Sequence, residues 1–351
     1  MKYFEKFLNL KIPQKLQTFY PKKNKIKLMI YLYKKNIIIH DYLFNLHKYF
    51  NPKDILILNN SKSYPIKYKG YKNLKDKNSK IYFYLLKEIN PKYHIWDTIV
   101  SPARKVRINN KIFFKVKNKI IKAIILNNTT SRGRILKFFY DKDNISFKKK
   151  FFKTGKILLN HNIKKKKKLN INNYQNFYSK KLGSIILPTS GTYFDKNLIL
   201  NLKLKNIKIF KITLHLNSNK LFNFNIKNIF KYKYFNSEQL FLNEKLSNYI
   251  NKKKEKKSIC CVGSNTLKAI ENIFLMFYKI KPFKGYINTF FPYKYKYKIV
   301  NSLLTYFNNF ESINFFINLN LINISNMYKI YKIAIKKNYN FFTYGDLLLI
   351  K

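Results

Sequence analysis

The chain has few of the residues that punctuate structure. Among 351 residues there are 8 glycines, 9 prolines, 2 cysteines and 1 tryptophan. The two cysteines, Cys260 and Cys261, are adjacent in an apolar run, and a vicinal disulfide is strained. Two reduced core thiols in a cytoplasmic protein are expected instead of a disulfide framework. The five histidines at 40, 47, 94, 161 and 215 are scattered, so no Cys/His cluster has metal-ligand spacing and no metal is expected. No apolar run reaches the roughly 18 residues of a membrane span. The start, Met1-Lys2-Tyr3-Phe4-Glu5, lacks the apolar core of a signal peptide. Arginine is scarce too: Arg104, Arg107, Arg132 and Arg134 are the only four of 72 basic residues.

Lysine, Asn, Ile, Phe and Tyr dominate instead. The formal charge of +57 would ordinarily point to a polyanionic partner. AT-rich codons encode the same five residue types, however, so base-composition drift competes as the source of the lysines. A surviving arginine is therefore the more informative cation. With 46% hydrophobic and 18% aromatic residues the chain can build a substantial core. Its length suits about two domains of roughly 150 residues.

Along the chain, Asp54-Ile55-Leu56-Ile57-Leu58-Asn59-Asn60 reads as a fully buried strand leaving a sheet. Short β-rich segments then follow at Lys80–Leu86, Tyr93–Val100, Lys111–Lys117, Ile120–Leu126 and Arg134–Tyr140. Turn signals separate them at Asn109-Asn110, Asn127-Asn128 and Asp141–Asn144. Close spacing without a long helical pattern predicts a small antiparallel barrel or sandwich. The stretch Thr154–Tyr178, with five lysines at Lys164–Lys168, reads as a solvated loop.

Strands and helices alternate beyond it. A strand is predicted at Ser184–Leu187, a helix after Asp195, a strand at Ile207–His215 and a helix from Glu238 to Ile250. The buried strand Ser258–Val262 precedes a helix carrying Leu267, Ile270, Phe274 and Phe277 on one stripe. The expected fold class is α/β. A large layered domain (1–60 and 154–351) would hold an inserted β-barrel-like domain (61–153).

Three strand-end loops stand out: Asn59-Asn60-Ser61, Pro188–Thr192 and Gly263–Thr266. The third opens a helix with a glycine and three hydroxyl or amide residues, which suits an anion; alternatively Ser264 is simply an N-cap. Arg104-Lys105-Val106-Arg107 follows Pro102 at a strand end and suits phosphate contacts, or is an ordinary basic turn. His215 ends an apolar strand and reads either as a structural histidine or as a catalyst. Glu238 sits at a predicted helix start, where the dipole favours a carboxylate whatever its function. Tyr344-Gly345-Asp346 is a turn by its chemistry, and Tyr339, Phe341 and Phe342 before it read as core.

In this order the pieces resemble the S-adenosylmethionine:tRNA ribosyltransferase-isomerase family of queuosine biosynthesis, over nearly the whole chain. The family's Leu-Asn-Asp-Thr-Arg is similar to Leu58–Lys62, and its Trp…Pro-Ala-Arg-Lys to Trp96 and Pro102–Lys105. Tyr-Gln-x-x-Tyr is similar to Tyr174–Tyr178, and Gly-x-x-x-x-Pro-Thr-Ala-Gly-Leu-His-Phe to Gly183–Phe194. Thr-Leu-His resembles Thr213–His215, Ser-Glu resembles Ser237-Glu238, and Val-Gly-Thr-Thr-Ser-Val-Arg-x-x-Glu resembles Val262–Glu271. Leu-Leu-Thr-x-Phe resembles Leu303–Phe307, and the family's ending resembles Tyr339–Ile350.

The resemblance implies transfer of the ribosyl moiety of S-adenosylmethionine to 7-aminomethyl-7-deazaguanine at the tRNA wobble position. Epoxyqueuosine-tRNA forms, with adenine and methionine released. S-adenosylmethionine is a co-substrate, and no cofactor or metal is implied. The expected protein is a cytoplasmic monomer with tRNA and S-adenosylmethionine as partners and no membrane. Catalysis falls to His215 and Glu238. Asn59, Pro188, Thr189, Gly191, Gly263, Ser264, Thr266, Lys268, Tyr344 and Asp346 are expected at the substrate, and Arg104, Lys105 and Arg107 at the tRNA.

The chain departs from the family pattern at Asn60, Lys62, Tyr193, Asn217, Asn219, Asn236, Lys268 and Asn308. Arg to Lys at Lys62 and Lys268 loses a bidentate fork. These departures raise the alternative of a degenerate homologue that binds tRNA without catalysis.

Overall fold

Runs of four or five apolar residues make the middle of a nine-stranded mixed sheet, in a computed structural model. It describes residues 10–18, 21, 25–75, 80–117, 119–141, 143–156, 175–217, 237–252, 258–288, 291–292, 294–310 and 312–351. The lysine run Lys164–Lys168 and positions Tyr174, Asn219 and Asn236 lie outside the described residues.

Strands β1 (Lys27–Leu32), β2 (Ile37–Tyr42) and β3 (Ile55–Asn59) enter the sheet, and β4 (Ser61–Ser63) leads away from it. The next six are β5 (Lys67–Tyr71), β6 (Lys80–Asn90), β7 (Ile95–Ser101), β8 (Lys111–Val116), β9 (Lys119–Asn128) and β10 (Gly133–Phe139). They close a barrel in the order β10-β7-β6-β5-β8-β9, with every pairing antiparallel. Helix α1 (Asn144–Phe151) packs Phe147 and Phe151 against the barrel core beside Phe114 and Phe138.

The chain returns along β11 (Lys181–Ser184), parallel to β4. Then come α2 (Lys196–Leu204), β12 (Lys208–His215), β13 (Glu238–Leu242), α3 (Glu244–Asn251), β14 (Ile259–Val262), α4 (Ser264–Phe277), β15 (Phe283–Ile287), β16 (Ser302–Tyr306), α5 (Ile313–Leu319), α6 (Ile324–Lys336) and β17 (Leu347–Ile350). The sheet order is β15-β13-β12-β3-β14-β16-β17-β1-β2, with β12, β3, β14 and β16 mutually parallel at its centre.

Period-2 alternation between two covered faces explains why β14 and the first four residues of β3 are all apolar. Ile55, Ile57 and Cys261 face α4, against Leu267, Ile270 and Ile273. Leu56, Leu58 and Cys260 face α2, against Leu198 and Leu202. Each such side chain contributes about 1.5–3 kcal/mol on burial. The adjacent cysteines therefore enter opposite layers as free thiols, and burial raises the Cys260 thiol to about 12. Side-chain caps start most helices: Asp195 accepts from the Leu198 N–H at 2.7 Å and Asn243 from the Leu246 N–H at 3.0 Å. Helix α4 differs, starting at Gly263 with φ 93° and no side-chain cap.

Three sequence expectations need correction. The strand expected at Ser184–Leu187 lies earlier, at Lys181–Ser184, because pairing with β4 sets its register. Glu238 begins a strand, not a helix. Residues 238–242 alternate buried and half-buried between β12 and β15, and the helix starts one element later behind the Asn243 cap. Ser237-Glu238 imitates a helix-start pair, but period 2 decides. Finally, the turn expected at Asn127-Asn128 is the end of β9, and β5 was hidden by its glycine. A Cβ on Gly70 would lie 2.7 Å from both Ile112 and Phe83, so the barrel wall closes there only on glycine.

Candidate active site

The carboxyl ends of β3 and β12 meet the returning strand β11 beside the barrel. There a cleft of about 210 Å³ is lined by Leu86, Lys87 and Asp97 of the barrel and by Gly183, Ile185, His215, Asn217, Ser237, Gln239 and Tyr286. Lys87 lies 4.6 Å above the Tyr286 ring and joins barrel to sheet edge. The location follows the rule for open α/β sheets, whose ligands bind beyond the carboxyl ends of the strands.

Asn59 staples the floor. Its amide nitrogen donates to the Leu214 carbonyl at 2.8 Å, and its oxygen accepts from the N–H groups of Ser61 and Leu214, both at 3.0 Å. His215 is thereby held over Gly183, where a Cβ would come within 2.5 Å of the imidazole. Its Nδ1 is 2.6 Å from Ser61 Oγ, which is 2.6 Å from Ser184 Oγ, which accepts from the Leu216 N–H at 3.0 Å. Burial lowers the His215 pKa to about 4, so the ring is neutral at pH 7. Across the cleft, burial raises the Asp97 pKa, opposed by hydrogen bonds from the Thr98 N–H and Thr129 hydroxyl and by the charge of Lys87.

Glu238 and Lys268 form a buried ion pair at 2.6 Å, and the second Glu238 oxygen accepts from the Asn217 N–H at 3.3 Å. The pair ties β13 and the end of β12 to the first turns of α4. Around the α4 start the hydroxyls turn inward. Ser264 donates to Asn318 Oδ1 at 2.8 Å and Thr266 back to the Val262 carbonyl at 2.8 Å. Ser264 is thus neither an N-cap nor turned to an open anion site.

Pro188–Gly191 packs beside this helix start. A Cβ on Gly263 would meet Ser190 Oγ at 2.9 Å, and one on Gly191 would overlap the Tyr178 hydroxyl. The Pro188 carbonyl accepts from Asn176 at 2.8 Å and the Thr189 carbonyl from the Tyr306 hydroxyl at 2.9 Å. Asp346 is fully buried and accepts from the Lys27 N–H (2.9 Å) and the Asn340 N–H (2.7 Å), and the Tyr344 carbonyl accepts from the Tyr193 hydroxyl.

Hence His215, Glu238, Lys268 and Asn59 gather at or directly behind the cleft. Pro188, Thr189, Gly191, Gly263, Ser264 and Thr266 form an adjoining buried layer, and Asp346 staples the C-terminal turn. Arg104, Lys105 and Arg107 do not line the cleft. They are exposed on the turn after β7.

That turn is organised by Arg134, which is buried and donates to the carbonyls of Ala103 (3.2 Å), Val106 (3.1 and 3.3 Å), Thr130 (3.4 Å) and Gly133 (2.7 Å). A planar five-donor fork can do this and an ammonium cannot. Sequence reasoning assigned no site role to Arg134, Ser184, Asp97, Lys87 or Tyr286. For Ser184 one signal was present: Gly183 inside a strand marks a close approach.

Among the described residues no group of three or more His, Cys, Asp or Glu could hold a metal, and no helix is long and apolar enough to cross a membrane. The cleft offers one neutral imidazole, one carboxyl with a raised pKa and a buried ion pair, a set suited to proton transfer and hydrogen bonding.

Fold and cleft together define a two-part α/β protein whose candidate site lies where an inserted barrel meets the carboxyl ends of the sheet strands. More particularly, the chain belongs to the queuosine biosynthesis protein family, whose model matches residues 6–350. It is 31% identical to the S-adenosylmethionine:tRNA ribosyltransferase-isomerase of Flavobacterium psychrophilum over 97% of both chains. It is 33% identical to the protein of the same name from Amoebophilus asiaticus, also over 97% of both. The crystal structure of S-adenosylmethionine tRNA ribosyltransferase from Thermotoga maritima shares the fold. Its TM-score is 0.52 at 21% identity, over 97% of this chain and 99% of that one.

Proposed function

We propose that this protein is a tRNA-modifying transferase-isomerase. It moves the ribosyl moiety of S-adenosylmethionine onto 7-aminomethyl-7-deazaguanine at the tRNA wobble position and releases adenine and methionine. The observation that carries the reading is the family match from residue 6 to residue 350, with relatives of that name aligned over 97% of both chains. The chemistry is reasonable for such a cleft. A sulfonium acidifies the adjacent carbon and is a good leaving group, so one base and close positioning can start the reaction.

S-adenosylmethionine enters as a co-substrate and lies in the cleft beside His215, with Glu238 and Lys268 behind it. Asn59, Pro188, Thr189, Gly191, Gly263, Ser264 and Thr266 support the substrate site from the buried layer that adjoins the cleft, and the Tyr344–Asp346 turn braces that layer through Tyr193. Arg104, Lys105 and Arg107 meet tRNA phosphates from the barrel. The inserted domain runs from 61 to 153 within a larger domain of 1–60 and 154–351, and the enzyme works as a cytoplasmic monomer.

The alternative, tRNA binding without catalysis, draws on the replaced family residues. Three of those in the described part of the chain are integrated by hydrogen bonds. Asn60 accepts from the Thr213 hydroxyl at 2.6 Å, Asn217 donates to the Ser237 carbonyl at 2.6 Å and Asn308 to the Tyr306 carbonyl at 3.1 Å. The test is incubation with S-adenosylmethionine and tRNA carrying the aminomethyl-deazaguanine. Adenine release supports the enzyme, and tRNA binding without adenine supports the alternative.

A further inference from the structure

We infer that His215 serves the reaction as a neutral imidazole with its proton on Nε2, a hydrogen-bond donor into the cleft, and that Ser61 and Ser184 are the positioning residues that impose this state. The inference rests on reading the cleft as the substrate site.

The argument is a proton count. Ser61 and Ser184 are both fully buried. Ser184 Oγ accepts from the Leu216 N–H, so its own proton has only Ser61 Oγ to meet among the described residues. Ser61 Oγ then accepts, and its proton has only His215 Nδ1. Nδ1 must accept, which places the ring proton of the neutral imidazole on Nε2, the nitrogen away from the two serines. A proton on Nδ1 would reverse the chain and leave the Ser184 hydroxyl proton facing the Leu216 N–H. Both the other tautomer and the imidazolium pay that penalty inside a buried network.

Gly183 fixes the ring plane from one side, and Phe241 stands edge-on at 5.9 Å. The surrounding charges do not offset the effect. Lys87 is a cation on the barrel side, Asp97 is the carboxyl whose pKa is raised, and Glu238 is neutralised by Lys268. The substrate feature that Nε2–H suits is a lone-pair acceptor, a ribosyl oxygen or a base nitrogen that gains electron density as a bond breaks. His215 is then not the group that removes a proton.

The experiment uses the full chain with ¹⁵N-labelled histidine and long-range ¹H–¹⁵N correlation from pH 5 to 8. The expected result is a pyridine-like Nδ1 and a pyrrole-like Nε2 throughout. Ser61→Ala should give a mixture of tautomers that titrates at higher pH, and Ser61→Thr should restore the single form. Ser184→Ala, which leaves Ser61 in place, should shift the balance part-way and serves if Ser61→Ala does not fold.

For turnover, His215→Ala should lose about a hundredfold or more in adenine release. His215→Gln, which keeps an N–H near the ring Nε2, should retain more of the rate. A pyrrole-like Nδ1 or an imidazolium at pH 7 overturns the tautomer, and equal losses in the Ala and Gln variants overturn the donor role. Parental turnover in His215→Ala, with the Nε2–H tautomer observed in the parent protein, would refute the placing of substrate in this cleft.

Discussion

Replacing Lys268 by methionine isolates the one buried ion pair at the site. Glu238 is 7% exposed and Lys268 8%, at 2.6 Å, so neither charge is solvated by bulk water. Among the described residues, removing the ammonium leaves the Glu238 carboxylate with the Asn217 N–H at 3.3 Å as its remaining donor. Breaking a buried pair on one side costs about 3–5 kcal/mol, because an uncompensated charge stays inside. Replacing both partners by neutral groups of similar volume is often nearly neutral.

Lys268→Met should therefore lower the urea midpoint strongly, and Glu238→Gln/Lys268→Met should recover most of the loss. The double-mutant cycle reads the coupling directly. Adenine release assayed on the same proteins separates stability from chemistry. The double variant should be folded but slow, since β13 and α4 lose their tie. A Lys268→Met penalty under about 1 kcal/mol, the range of exposed pairs, would refute the argument that burial sets the strength of this contact.

Gly183→Ala should abolish most adenine release while circular dichroism stays unchanged, because the added Cβ would lie 2.5 Å from the His215 ring and displace it. Arg134→Lys should weaken tRNA binding in a filter assay and leave S-adenosylmethionine binding intact, since the carbonyls of Ala103 and Val106 lose the fork that shapes the Arg104 turn. With the His215 pKa depressed from its ordinary 6.5 to about 4, the unfolded chain binds the extra proton between those values. Stability contributed there is full above about pH 6.5 and falls as pH drops toward 4, and His215→Gln should flatten that limb in a pH series of urea melts. With His215 a donor and Glu238 paired to Lys268, Asp97 is the cleft carboxyl to test as the base. Asp97→Asn should lose adenine release, and the parent's rate should fall as pH drops through the raised Asp97 pKa.

What was legible in the chain was whatever local periodicity and order encode. The apolar runs at Ile55–Leu58 and Ile259–Val262 could only be strands covered on both faces, since every position must find a core. The helix after Gly263 showed itself by its 3.6-residue stripe, and most barrel strands by alternation between turn residues. The ordered loop motifs were enough to point to the family. The loop residues were legible as a set, but not by role.

Roles depend on partners far away in sequence, which no local pattern records. Ser61 and His215 meet only because β3 and β12 are parallel neighbours with Asn59 pinned to Leu214. Glu238 looked like a helix-start residue until the pairing of β13 with β12 and β15 made it a strand residue bonded to Lys268. Arg134, one arginine among four, proved to be a buried hub for backbone carbonyls, while Arg104 and Arg107 stand in solvent. A hydrogen-bond donor takes its meaning from the acceptor opposite it, and only the packed sheet and barrel decide which acceptor that is.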